Sequence, residues 1–274
     1  MPFPIPNTLV LAAGMSTRLA ALTGGLPKPL TPVAGVPVLH RNLRWLASHG
    51  IQEVFINLHY RAEEIKASVG DGSAFGLRVN WSEEQPILGT AGAAKKLERE
   101  LDADNGRFLV VYGDNLFNFN LTRMLAEHAA QAACPPKTGA CATIAVFAPD
   151  KNVHTGIAGG RVLADKTGRI TGFREGDPSA AGYVNAACYI LEAGVLNFVP
   201  APPHASDWMR DIFPALLQAG EFLRAYPIDG YCLGIDTPEA YQRAEQLLAQ
   251  TSPPTPPRNG EGRPPFPLRE GAGG

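Results

Sequence analysis

The chain has 274 residues, 45% of them hydrophobic and 18% charged, which suits one large α/β domain or two small ones. A formal net charge of −2 offers no basic surplus for a nucleic-acid partner, though it permits a local cationic cluster for a small phosphate ligand. Cys134, Cys141, Cys188 and Cys232 form no C-x-x-C pair, so neither a zinc knuckle nor a redox motif is indicated and reduced thiols in or near the core are expected.

The N-terminal "MPFPIP" has no basic region, and no run reaches the roughly 20 apolar residues of a membrane helix, so a cytoplasmic protein with no membrane partner is expected. The spacing then predicts a buried strand over 8–13 ("TLVLAA"). A helix follows over "VPVLHRNLRWLASHG", with Val38, Leu39, Leu43 and Leu46 on one face and Gly50 at its end. "EVFIN", "LRVNW" and "RFLVVYGD" read as further strands, separated by the helices "RAEEIKASVG" and "TAGAAKKLEREL" and followed by "LTRMLAEHAA". Repeated strand–helix units with fully apolar strands imply a mostly parallel sheet covered by helices on both faces.

The second half changes character. "ACATIAVF" is a strand, and "GIAGGRVLADKTGRITGFRE" reads as a hairpin turning near "DKTG". "YVNAACYIL" is a strand, "DWMRDIFPALLQAG" a helix, "EFLRAYPI" and "GYCLGI" short strands, and "TPEAYQRAEQLLAQ" a final helix with proline in its first turn. The segment 251–274 is half proline and glycine and is expected to be disordered, leaving an ordered body of 1–250.

The stretch "TLVLAAGMSTRLAALTGGLPKPL" carries the chemistry. A Rossmann turn needs G-x-G-x-x-G, but Gly14, Ser16 and Leu19 stand at those positions, and the second strand ends in Asn57 instead of an acid. A Walker A loop needs Gly-Lys-Ser/Thr, and no such string occurs. What remains is a strand entering a glycine turn, with backbone amides and Arg18 at the start of a helix. That is an anion site by its unpaired N–H groups and guanidinium fork. Ten residues on, Lys28 lies between Pro27 and Pro29, whose rings restrict the local backbone.

"LAAGMSTRL…LPKPL" resembles the signature of the sugar-1-phosphate nucleotidylyltransferases, G-x-G-T-R-L followed by P-K, with the arginine-to-lysine spacing kept. "LGTAGA", "VVYGD", "HTGIAGGRVLADKTGRITGFRE", "YVNAACYIL" and "DIFPALL…GIDTPEAY" continue the resemblance in order along about 240 residues. It implies a Rossmann-like mixed α/β sheet with a small β-hairpin lobe, a nucleotide-binding half over 8–120 and a sugar-phosphate half over 141–250. The reaction implied is NTP plus sugar 1-phosphate giving NDP-sugar and pyrophosphate, assisted by Mg²⁺. By resemblance, Leu11, Ala13, Gly14, Met15, Ser16, Thr17, Glu84, Gly89 and Thr90 would bind the nucleotide. Arg18 would hold the leaving phosphates and Lys28 would neutralise the α-phosphate. Asn115, Gly156, Glu175 and Asn185 would face the sugar phosphate, and Asp114 would hold the metal.

Two departures stand out. Relatives place the second metal aspartate where Gly234 stands, and the two-residue repeat of a strand puts Asp236 on the same face, so Asp236 is expected to supply that carboxylate. Gly176 stands where relatives have a phosphate-binding lysine, and Arg174, two residues earlier, is a candidate replacement. The form with Glu84 before "LGTAGA" is similar to guanylyltransferases for mannose-type or heptose 1-phosphates. Uridylyl- and thymidylyltransferases, activation of a non-sugar phosphate such as phosphocholine, and a silent nucleotide-sugar-binding regulatory subunit remain as alternatives. No hexapeptide-repeat domain, and hence no fused acyltransferase, is expected.

Overall fold

An uninterrupted apolar strand needs cover on both faces, and β1 (Asn7–Leu11) has it, with Leu9 and Val10 fully buried. The structure, a computed structural model, describes residues 6–14, 23–102, 106–132, 139–155, 160–174 and 182–251. β1 pairs in parallel with β4 (Glu53–Leu58) on one side and β6 (Arg107–Tyr112) on the other, and β5 (Arg78–Glu83) lies parallel beyond β4. The chain thus winds outward from β1 through β4 to β5, then crosses back to place β6 on the opposite side.

Beyond β6 the sheet becomes mixed. β11 (Tyr183–Glu192) runs antiparallel to β6, β8 (Ala140–Phe147) antiparallel to β11, and β12 (Phe222–Pro227) parallel to β8. The expected hairpin is β9 (Arg161–Ala164) and β10 (Ile170–Arg174), turned by Asp165, whose carboxylate accepts the amides of Thr167 and Arg169. It does not stand apart as a lobe: β9 pairs with Tyr183 and Val184 of β11, so the hairpin forms one edge of the nine-stranded sheet.

Helices cover both faces. α1 (Val38–Ser48), α2 (Ala62–Val69) and α5 (Leu121–Ala132) bury Leu39, Leu43, Leu46, Ile65 and Met124 against one face. α3 (Gly89–Lys96), α4 (Glu98–Asp102) and α6 (Phe213–Gln218) bury Ala91, Ala94, Leu101, Phe213 and Leu216 against the other. "TAGAAKKLEREL" is therefore two helices, parted at Leu97, whose amide bonds three residues back to Ala94 and tightens the turn. Before α6 the segment Trp208–Ile212 is a wide π turn; Pro214 has no N–H to give the carbonyl four residues earlier.

Three short strands escaped the sequence reading: β2 (Pro32–Val33), β3 (Val36–Pro37) and β7 (Asn115–Asn118). β7 pairs antiparallel with β13 (Tyr231–Gly234), and α7 (Pro238–Thr251) packs Ala244 and Leu248 over Leu233, Ile235 and Val33. Residues 252–274 lie outside the described residues. Among the described cysteines, Cys188 and Cys232 are buried, Cys141 is half-buried, and all three are free thiols.

Candidate active site

In an open α/β sheet, ligands bind past the carboxyl ends of the strands where the winding reverses. Here that point lies between β1 and β6, and a cavity of about 230 Å³ opens there. Leu11, Ala13 and Gly14 line it from β1, Tyr112 and Asp114 from β6, Asn57 from β4, and Ile87, Gly89 and Thr90 from the start of α3. A Cβ added to Gly14 would meet nothing within 4 Å, so the backbone there faces open space.

Lys28 reaches the site through Asp114, one of these lining residues. Pro27 is held at φ −54°, Leu30 donates its amide to the Pro27 carbonyl at 2.8 Å, and buried Pro29 and Leu30 anchor the turn. The ammonium consequently has one direction to go. Nζ lies 2.7 Å from Asp114 Oδ2 and 2.6 Å from Asp236 Oδ1, with the lysine side chain only 12% exposed. Burial pulls the Lys28 pKa down, and the two carboxylates outweigh it through charge and hydrogen bonds, holding the ammonium above the usual lysine value. The pairing of β7 with β13 makes this convergence possible: Asn115 faces Gly234, so Asp114 and Asp236 emerge together from adjacent strand ends. Asp236 itself lies past the end of β13, with half its side chain in solvent.

The donor set bears on the metal. Asp114, which lines the cavity, and Asp236, half in solvent beside it, both aim at the Lys28 ammonium and are hard oxygen ligands suited to Mg²⁺, which takes one or two carboxylates and fills its shell with water and phosphate. Among the described residues no group of three or more His, Cys, Asp or Glu side chains gathers into a metal cage. The pair therefore fits Mg²⁺ shared with a phosphate ligand and does not fit a structural zinc site.

Glu84 is buried behind the loop that starts α3. It is 1% exposed; Oε1 accepts from Asn57 Nδ2 at 2.8 Å and Oε2 from the Leu88 amide at 2.9 Å. Asn57 Oδ1 in turn accepts the Ala12 amide at 2.7 Å. The carboxylate ties the end of β1 to the loop before α3, and Asn57, through its side chain, is the member of this chain that reaches the cavity wall. Gly89 sits at φ +74°, and a Cβ there would lie 2.4 Å from the Ser206 carbonyl oxygen, which also accepts the Ala91 amide.

Asn115 is buried, and its carbonyl accepts from Asn42 Nδ2 at 2.6 Å. Asn185 lies on β11, with Oδ1 on the Ala187 amide and Nδ2 on the Tyr189 hydroxyl. Arg174 is exposed on edge strand β10, in a row with Arg161 and Val184, roughly 10 Å of sheet from β11. Met15, Ser16, Thr17, Arg18, Gly156 and Glu175 lie outside the described residues.

Sequence reasoning passed over Asn57, Ile87 and Tyr112 as cavity-lining residues and Asp207, which accepts from Thr90 of the cavity wall. Asn57 carried a usable signal, a polar side chain closing an otherwise apolar strand where ligands gather.

Comparison with known proteins agrees with this geometry. The family model described as "Nucleotidyl transferase" matches residues 7–251. The chain is 32% identical over 253 residues to a mannose-1-phosphate guanylyltransferase of Mycobacterium tuberculosis, covering 91% of this chain but 66% of that protein, just under two thirds of its length. It is 27% identical to the D-glycero-alpha-D-manno-heptose 1-phosphate guanylyltransferase of Aneurinibacillus thermoaerophilus, covering 88% of this chain and 98% of that one. The crystal structure of HddC from Yersinia pseudotuberculosis complexed with GMP-PN shares the fold, with a TM-score of 0.72 at 22% identity over 89% of this chain and all of the other. The strand order, the cavity at the switch point and the family match agree: the chain belongs to the nucleotidyl transferase family.

Proposed function

We propose that the protein is a sugar-1-phosphate guanylyltransferase, joining GTP to a mannose- or heptose-type 1-phosphate with release of pyrophosphate. The observation that carries the chemistry is the meeting of Lys28 and Asp236 with Asp114, which lines a cavity at the sheet's switch point. The family match supports the class, and the mannose and heptose relatives support the base and sugar.

The sugar phosphate oxygen attacks the α-phosphorus in line, the new P–O bond forms as the bond to pyrophosphate breaks, and no covalent enzyme intermediate is needed. The base enters the cavity lined by Leu11, Ala13, Gly14, Asn57, Gly89 and Thr90, with Glu84 holding the loop behind it. Lys28 carries its fixed charge to the α-phosphate, where negative charge grows in the transition state. Arg18 and the amides of 14–17 take the leaving phosphates in this reading. Mg²⁺, held by Asp114 and Asp236, would supply further charge neutralisation at the phosphates. Asn115, Gly156, Glu175 and Asn185 serve the sugar side, with Arg174 replacing the family's lysine. We place the reaction in the cytoplasm, where nucleoside triphosphates are supplied.

The test is pyrophosphate release with each of four NTPs against mannose, heptose, glucose and N-acetylglucosamine 1-phosphates in the presence of Mg²⁺. Highest kcat/KM with GTP and a manno-configured sugar is expected. A preference for UTP or dTTP would move the protein to the uridylyl- or thymidylyltransferases. No release with any pair, alongside tight NDP-sugar binding, would make it a silent regulatory subunit.

A further inference from the structure

Thr90 lines the nucleotide cavity, and what its hydroxyl can offer there is decided 117 residues away in sequence. Thr90 Oγ1 donates to Asp207 Oδ2 at 2.7 Å and accepts the Trp208 amide at 3.1 Å. Asp207 has little freedom to do otherwise. Its Oδ1 takes the amides of Met209 at 2.8 Å and Arg210 at 3.0 Å, and its own amide donates to Asp211 Oδ2 at 2.8 Å. The next side chain, Trp208, is fully buried and stacked on Phe213. One residue earlier, the Ser206 carbonyl accepts the Ala91 amide at 2.9 Å and the Ser206 amide donates to the Leu88 carbonyl at 3.0 Å. The loop of Thr90 and the carboxylate that bonds it are thus held in one frame.

A hydroxyl has one proton and two acceptor positions, whereas a carboxylate only accepts. Asp207, which receives Thr90 and two amides, therefore holds the threonine's single proton. The Trp208 amide fills one of the two acceptor positions of Oγ1. What remains is one lone pair, so Thr90 can take a hydrogen bond from a ligand and cannot give one. Nucleobases carry N–H donors that such an acceptor suits, the 2-amino group of guanine among them.

We propose that Asp207 is a positioning residue that sets the hydrogen-bonding sense of Thr90, fixing it as an acceptor for an N–H group of the base. This rests on the proposed function, in which the base enters that cavity.

Asp207→Asn inverts the sense without removing the cap, because asparagine starts a helical turn as well as aspartate does. Its Oδ1 keeps the amides of Met209 and Arg210, which turns Nδ2 toward Thr90. The threonine then accepts from both Nδ2 and the Trp208 amide, and its proton is left to meet the base N–H, donor against donor. Thr90→Val keeps the shape of the side chain and removes the hydroxyl. Titration calorimetry with GTP, UTP, dTTP and ATP identifies the tightest-binding nucleotide, which serves as the probe. Thr90→Val should raise its Kd about five-fold, and Asp207→Asn about ten-fold or more. In the Thr90→Val background, Asp207→Asn should add less than about two-fold, because no proton is left to redirect. A merely structural defect would persist there. The KM for the sugar 1-phosphate should stay within about two-fold of the parent throughout. Asp207→Ser, whose single oxygen stays on the amides, frees the Thr90 proton without reversing it and should fall between the parent and Asp207→Asn. It also carries the test should the asparagine variant unfold, which melting temperatures establish.

A parental Kd in Thr90→Val or in Asp207→Asn, or the same fold-change for Asp207→Asn with and without the Thr90 hydroxyl, would overturn the proposal. If a nucleotide binds but no substrate pair releases pyrophosphate, the proposed reaction falls, and the Kd cycle still decides the role of Asp207. If none of the four nucleotides binds, both fall.

Discussion

Lys28 brings a positive charge into a nearly closed site, and the structure shows how that charge is kept: two carboxylates at 2.6 and 2.7 Å restore what burial removes. In the proposed reaction the negative charge of a polyphosphate would offer the same ammonium a second set of partners, which would free Asp114 and Asp236 to hold Mg²⁺. Arg174 stands at the other extreme, exposed on an edge strand, where a guanidinium can reach a ligand without a desolvation cost. Arg174→Ala should raise the KM for the sugar 1-phosphate about ten-fold and leave the KM for GTP within two-fold in steady-state assays. Equal effects on both substrates, or on neither, would remove the assignment. Lys28 and Asp114 were legible in the sequence because one sits in a proline-bounded motif and the other ends an apolar strand. Tyr112 and Asp207 were not, since Tyr112 lines a cavity that several strands build together and Asp207 meets Thr90, 117 residues away in sequence, only in the folded sheet.

The loop that starts α3 supplies Gly89 and Thr90 to the cavity wall. It is clamped from outside: the Ser206 carbonyl accepts the Ala91 amide, the Ser206 amide donates to the Leu88 carbonyl, and Gly89 at φ +74° passes beneath them. Gly89→Ala adds a Cβ that would sit 2.4 Å from the Ser206 oxygen in a backbone region alanine resists. We expect a melting temperature lower by about 5 °C and a raised KM for GTP, read by differential scanning fluorimetry and initial rates. A variant as stable as the parent, with an unchanged KM, would show that the loop is free to move. The long elements were readable because their periodicity is unambiguous: the apolar run of β6 and the one-sided face of α1 each admit a single reading. β7 was hidden by its length. Four residues between a strand and a helix look like a connection, and its strand character comes from pairing with β13, more than 100 residues away.

At the scale of the molecule, the residues that line the cavity come from the parallel half, and the mixed half joins it through β11, paired with β6 as the seam. Beneath that seam His128 is fully buried, with Nδ1 2.8 Å from Thr143 Oγ1 and Nε2 2.9 Å from Glu192 Oε1. Burial lowers its pKa most, Arg107 and Arg224 lower it further, and the bond and charge of Glu192 only partly offset them. His40 and His49 are held below the ordinary value as well, both chiefly by burial. A histidine whose folded pKa lies below its unfolded value of 6.5 lets the unfolded chain take up protons first, so stability falls as pH drops below about 6.5. The urea midpoint should therefore be lower at pH 5.5 than at pH 7.5, with a smaller drop in His128→Gln. An unchanged or rising midpoint would contradict the assignment of a neutral buried imidazole. Whether Asp114 and Asp236 act with Lys28 as one reaction centre is read from the Mg²⁺ dependence of pyrophosphate release in Asp236→Ala. We expect a kcat lower on the order of 100-fold and a raised Mg²⁺ concentration for half-maximal rate, with the protein still folded. A kcat and Mg²⁺ dependence within two-fold of the parent would contradict it.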